Sequence, residues 1–312
     1  MTEITIGVDI SKAWLDACRL PDGAEKRFPN DLAGFEALIA WIGPDAPDRI
    51  VYEPTGAYHR RFEHTLSGAG LMLVKVNPRQ ARRFAQALGK LAKTDRADAA
   101  MLARLGQALQ PQPRPVTSEI INKLKALQLA RQALIKDRTA AKNRQKLLDH
   151  PLLKRQNDAR LQQIQTQMTE LEAEIQALIQ TDPDLTQRLE ILISIPGLAR
   201  QTASALLIGM PELGNLDAKQ AASLAGLAPM TRQSGQWRGK AHIQGGRAEV
   251  RHALYMPALV AARFNPDLKA KYQQLIKAGK PPKVAITAIM RKLIALANAL
   301  LNQRRSWAPK PT

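Results

Sequence analysis

The sequence has one cysteine, Cys18, in 312 residues, which excludes a disulfide framework and any zinc site built on paired cysteines. Histidines are scarce too, five in all. No apolar run approaches the roughly 20 residues of a membrane helix. The first eight residues lack the basic start and apolar stretch of a signal peptide. These absences lead us to expect a cytoplasmic protein of bacterial type, without membrane contact. Acids are also scarce: 27 against 46 Lys and Arg leave a net charge of +19. Such a balance is an electrostatic footprint for nucleic acid.

The charge is unevenly spread. Residues 1–115 hold 16 basic and 13 acidic side chains, whereas residues 122–165 hold 11 and 3. Residues 166–231 reverse to 3 and 8, and residues 232–312 hold 16 and 2. Phosphate contacts need Lys and Arg, and their number sets the salt dependence. The balanced N-terminal part must therefore do something besides grip phosphates.

That part reads as an α/β domain. Ile4–Asp9, Leu15–Leu20 and Glu25–Phe28 are short β-rich runs, with a turn at Pro21-Asp22-Gly23. They predict an antiparallel three-strand meander. Asn30 or Asp31 can cap a helix to about Ile42. Arg49–Glu53 and Leu71–Val76 read as strands, and Arg60–Ser67 as a helix. Further helices are predicted from Pro78 and from Asp95 to about Leu109, the latter capped by Thr94. Prolines 111, 113 and 115 cannot continue a helix, so the first domain is placed at 1–115.

Residues 116–182 read as a helical arm broken at His150-Pro151. Leu161, Ile164, Met168, Leu171, Ile175 and Leu178 alternate by three and four, a coiled-coil seam that wants a partner helix. The partner is either Ile121–Leu148 or another subunit, and self-association is expected. Residues 183–312 read as an α-rich domain. Its Ile195-Pro196-Gly197-Leu198 resembles a helix-hairpin-helix turn, though a plain packing turn fits as well. Residues 232–248 are Gly-rich and basic, with two helices expected after them, near 247–263 and 283–303.

Four acids stand out. Asp9 ends the first strand, and Glu53 ends a buried apolar strand at the sheet edge where α/β ligands bind. Asp95 and Asp98 lie three apart on one helix face, where like charges repel unless a cation intervenes. Carboxylates alone suit Mg²⁺ or Mn²⁺, and two such ions can assist phosphoryl transfer.

The words around these acids are more specific. Gly7-Val8-Asp9-Ile10-Ser11-Lys12, Tyr52-Glu53-Pro54-Thr55-Gly56-Ala57-Tyr58-His59 and Lys93-Thr94-Asp95-Arg96-Ala97-Asp98 resemble the Piv-like DEDD transposases of bacterial insertion sequences. So do Leu224-Ala225-Gly226-Leu227, Ser234-Gly235 and Gly245-Gly246-Arg247 through Tyr255. Gly246 and Glu249-Val250 depart from many relatives. The resemblance implies a ribonuclease-H/RuvC-like first domain with catalytic, metal-holding Asp9, Glu53, Asp95 and Asp98. It implies a second, transposase domain in which Ser234 attacks a DNA phosphate and forms a phosphoserine link. It also implies target and donor DNA as substrates, an element-encoded bridge RNA as guide, and a homo-oligomer, either a dimer or a dimer of dimers.

Read without the resemblance, Ser234 is an ordinary serine before a glycine. Arg232, Arg238 and Lys240 beside it could hold a phosphate. Trp237 could stack on a base or cover the loop. Arg60, Arg61, Lys93, Arg96, Arg247 and Arg251 complete the expected nucleic-acid contacts. Three alternatives stay open: a hydrolytic junction nuclease needing the acids but not the serine, a Piv-like site-specific DNA invertase, and a binding protein with an inactive core.

Overall fold

The computed structural model describes residues 3–56, 58–89, 95–113 and 118–309. The chain forms two compact units, 1–117 and 118–312.

The first unit is built on the expected meander. Strands β1 (Thr5–Ile10), β2 (Trp14–Leu20) and β3 (Glu25–Pro29) run antiparallel. Asp31, not Asn30, caps α1 (Leu32–Ile42) by accepting from the Gly34 amide. Strand β4 (Arg49–Tyr52) then joins β1 in parallel, α2 (His59–Gly68) follows, and β5 (Leu73–Lys75) joins β4 in parallel. The five-stranded order is β3-β2-β1-β4-β5, a mixed α/β sheet of the kind the resemblance implies.

Strand alternation divides the side chains between two cores. Ile6, Val8, Ile10, Ile50 and Tyr52 pack with Phe35, Leu38, Phe62 and Leu66 of α1 and α2. Val51, Val74 and Val76 face α3 (Pro78–Ala87) and α4 (Asp95–Leu109), meeting Ala81, Met101, Leu102 and Leu105. Asn77 caps α3, with Pro78 at its first position. The cap expected from Thr94 lies outside the described residues, as do Lys93 and residues 114–117 at the expected domain boundary.

The second unit begins with a helical hairpin, α5 (Glu119–Gln145) and α6 (Pro151–Gln180). Arg131 pairs with Glu172, Arg138 with Gln165, and Gln145 with Asp158, so the two helices run antiparallel within one chain. Within the chain, the helix that carries the seam lies against residues 119–145. Ile164, Met168 and Ile175 are buried as the spacing predicts. The hairpin packs with the helices that follow it, so residues 118–182 belong to the same compact unit as the rest.

Four helices, α7 (Pro183–Ile193), α8 (Arg200–Gly209), α9 (Ala218–Leu224) and α10 (Ala248–Phe264), lead to α11 (Pro266–Lys277) and α12 (Pro282–Asn302). Helix α11 corrects the expectation of two helices after residue 247. Its start is chemically plain: Asn265 accepts from the Leu268 amide and Pro266 sits at the first position.

Helix α12 is a second correction. By length and composition it is apolar enough to cross a membrane, alone among the described residues. Its Ile286, Ile289, Leu293, Ala297 and Leu300 instead fill the centre of the unit. The Gly197 turn also has a packing role. A Cβ there would lie 2.9 Å from the Pro257 carbonyl and the Ala261 amide of α10, so the turn's backbone rests directly on that helix.

Residues 229–243 form a β finger where sequence suggested a loose loop. Pro229 and Met230 (β6) pair with His242 and Ile243 (β9) at its base. Beyond them Gln233 and Ser234 (β7) pair with Trp237 and Arg238 (β8). Strands of two residues carry no periodic signal, so they were invisible as strands.

Candidate active site

Asp9 is placed by the close approach of α4 to β1. Thr5, Gly7 and Asp9 alternate onto the face that α4 covers. Along that face Thr5 meets Gly106, and Gly7 meets Ala99 and Ala103. Asp9 then falls beside the first turn of α4, with Asp95 and Asp98. Glycine is needed at position 7, since a Cβ would stand 2.1 Å from the Ala99 carbonyl oxygen.

Strand β4 brings the fourth acid. Its parallel register with β1 pairs Gly7 with Val51 and Val8 with Tyr52, and Glu53 follows directly. The electrostatics record the convergence. The Asp9 carboxyl is pushed up to about 6, first by burial, then by Asp98, Asp95, Glu53 and Asp16. The other three predicted acids thus all act on Asp9.

The fifth, Asp16, was missed, together with its partner Arg27. Asp16 lies directly across from Asp9 in the β1–β2 ladder and is buried. Arg27 of β3 donates to both its oxygens, Nε at 2.9 Å and Nη2 at 3.0 Å. The same guanidinium reaches the Asp95 carboxylate at 3.5 Å and lies over the Trp14 ring. Among the described residues, no three His, Cys, Asp or Glu side chains form a ready-made metal cage. The Arg27 contact gives one reason, because it draws on Asp95. The donor set itself is all carboxylate and mutually repulsive, which suits a hard divalent cation.

Behind β4 lies a buried polar group that sequence reading also missed. Glu63 of α2 bonds the Tyr52 hydroxyl and the Lys75 ammonium, with His59 Nε2 at 3.8 Å. Burial, and then Glu63, raise the Tyr52 phenol well above its usual range; burial lowers His59. This network ties β4, α2 and β5 together just before Glu53. His59 thus joins this network, and the only sequence signal for Glu63 is its i+4 spacing from His59.

In the second unit, Ser234 stands exposed near the tip of the finger, followed by Gly235 with φ of 56°. That left-handed turn position favours glycine. Arg232, Arg238 and Lys240 are exposed around it. Trp237 pairs with Ser234, and its ring lies against Gly239 while remaining 60% exposed.

The other expected contacts differ among themselves. Arg60 and Arg61 are exposed on α2. Arg96 is exposed but ion-paired with Glu25. Arg247 binds both Glu212 oxygens, at 2.6 and 2.8 Å, and the Gly209 carbonyl. Burial pushes the Glu212 carboxyl up, but the Arg247 bonds prevail and lower it. Arg251 likewise donates to the Gly245 carbonyl at 2.8 Å, and to Gly226. Gly226 and Gly246 touch backbone to backbone, where a Cβ on Gly246 would lie 2.2 Å from the Gly226 amide. These two arginines fasten the foot of the finger.

Carboxylates gathered at the edge of a mixed sheet, in a strongly basic chain, define a class of enzymes that work on nucleic-acid phosphates. A family model described as a transposase, of the DEDD IS110 type, matches residues 6–150. A second, the transposase IS116/IS110/IS902 family, matches residues 189–273. The pilin gene-inverting proteins of Moraxella bovis and Moraxella lacunata are each 33% identical over 322 residues, covering 98% of both chains. An uncharacterized 43.6 kDa protein of insertion element IS110 from Streptomyces coelicolor is 29% identical over 140 residues, covering 44% of this chain and 34% of that one. The chain belongs to the IS110 family of DEDD transposases, DNA-recombining enzymes.

Proposed function

We propose that this protein cuts and rejoins DNA through a covalent phosphoserine intermediate made by Ser234, with divalent-metal assistance at Asp9, Glu53, Asp95 and Asp98. The observation that carries this reading is the convergence of Glu53, Asp95 and Asp98, from two other parts of the chain, on half-buried Asp9. Mutual repulsion of that kind persists where a cation is to be held. Mg²⁺ or Mn²⁺ bound there would supply charge for a phosphoryl-transfer transition state.

The chain's own groups do the rest. Attack by Ser234 Oγ makes one P–O bond and breaks another, releasing a strand hydroxyl. Attack by a second strand's hydroxyl on the phosphoserine reverses the exchange, so no phosphodiester is lost to water. Arg232, Arg238 and Lys240 neutralise phosphate charge at the finger. A bridge RNA pairing with target and donor DNA, and assembly as a dimer or a dimer of dimers, complete the proposal. The net charge of +19 supports nucleic-acid partners of both kinds.

Ser234→Ala tests it. A denaturing gel should lose the protein–DNA adduct, and strand exchange should stop. Strand exchange at the wild-type rate would overturn the serine step. RNA copurified from cells carrying the flanking DNA tests the guide; absence of a discrete species removes it. A second reading, site-specific inversion, draws on the full-length similarity to the pilin gene-inverting proteins. Element ends beside the gene favour transposition, and inverted chromosomal sites favour inversion.

A further inference from the structure

A cleft of about 520 Å³ opens between α9 and α12, lined by Lys219, Arg291, Lys292, Ser223, Pro229 and four alanines. Three cations line it and no acid does. Some guanidiniums of this unit are matched by acids: Arg131 with Glu172, Arg188 with Asp184, Arg200 with Glu190 and Arg247 with Glu212. Among the described residues, Lys219, Arg291 and Lys292 have no such partner. Arg291 and Lys292 also interrupt the apolar middle of α12. An uncompensated cationic cleft with an apolar floor calls for an anion from outside.

The shape narrows the ligand. Alanine methyls offer no hydrogen bonds with which to read a base, whereas the rim offers charge and one hydroxyl. That combination holds a sugar-phosphate backbone without reading its sequence. Position narrows it further. Pro229 lines the cleft and also begins β6, the foot of the finger that presents Ser234.

We propose that this cleft seats backbone phosphates of the DNA led to the finger. The choice of DNA over RNA rests on the Ser234 reading above; the anion site itself does not.

The test uses the full chain. Lys219→Gln with Lys292→Gln removes two exposed charges. The slope of log affinity for a labelled DNA duplex against log salt should fall by about 2. Lys269→Gln with Lys277→Gln, exposed on α11 away from the cleft, removes equal charge and should leave the slope unchanged. Ser223→Cys adds an exposed thiol, while Cys18 is buried, so a thiol-linked photo-crosslinker reports the cleft alone. It should join to DNA. An unchanged slope, an equal effect of the control pair, or cross-links to an RNA of the same length but not to DNA would each overturn the proposal. If the Ser234→Ala adduct test fails while slope and cross-link hold, the serine assignment falls and the cleft stands.

Discussion

Gly7→Ala is a one-methyl test of how the acidic cluster is assembled. The added Cβ would sit 2.1 Å from the Ala99 carbonyl oxygen and 2.3 Å from the Ala103 amide. Both are backbone atoms of α4, so no side chain can swing aside. Reaching even 3.0 Å requires about 0.9 Å of movement, the difference 3.0 − 2.1. Overpacking of this kind costs about 1–3 kcal/mol. For a unit of this size, that lowers Tm by the order of 10 °C. The same movement carries Asp95 and Asp98 away from Asp9, and a displacement near 1 Å can cost about 100-fold in rate. Gly68→Ala is the control: its Cβ meets nothing within 4 Å. It should match or slightly exceed wild-type stability. Thermal unfolding and a strand-cleavage assay on both variants decide the matter. Wild-type Tm and cleavage in Gly7→Ala would refute this account of the packing.

The remaining predictions follow the same logic. Asp9→Asn should abolish cleavage yet stabilise the metal-free protein by about 1 kcal/mol, after allowance for solvent screening. The sign follows from the raised carboxyl: between pH 3.8 and about 6 the folded state holds the proton more tightly than the unfolded state, so wild-type stability falls as pH rises through that window. The variant's pH–stability curve should be flatter there; an identical curve refutes the assignment. Arg27→Met alone leaves Asp16 buried without its partner and should lower stability, and adding Asp16→Asn should restore most of the loss in denaturant titrations. Because Arg27 also draws on Asp95, that double variant should bind Mn²⁺ more tightly than wild type in calorimetry; unchanged affinity would mean Arg27 serves Asp16 only. Asn157, buried in the arm with one bond to the Ala141 carbonyl, should give about 1 kcal/mol of extra stability when changed to Leu, read as a higher denaturant midpoint.

Strands β1 to β5 and helices α1, α3 and α4 were legible because alternation, caps and prolines act locally. The four acids were legible because each ends a readable element or shares a helix face. Asp16 was not, although it sits opposite Asp9, because strand register depends on a hairpin whose exact pairing local signals do not specify. Glu63 and its partners come from three separate elements, and only folding joins them. The protein partners of two arginines were hidden for the same reason. Positions 247 and 251 look like any basic residue in a Gly-rich stretch until Glu212 and the Gly245 carbonyl arrive from elsewhere. Helix α11 is different: Asn265-Pro266 is a local start signal, and it went unused.

The antiparallel hairpin of α5 and α6 has a consequence for engineering. Its cross-links join 131 to 172, 138 to 165 and 145 to 158, so each step along one helix is matched by one step back along the other. Matched seven-residue deletions, 138–144 from one helix and 159–165 from the other, remove two turns from each. The pairs at 131–172 and 145–158 keep their partners. The hairpin becomes shorter by about 10 Å. It is a ruler whose length can be reset in whole heptads while both of its ends keep their neighbours.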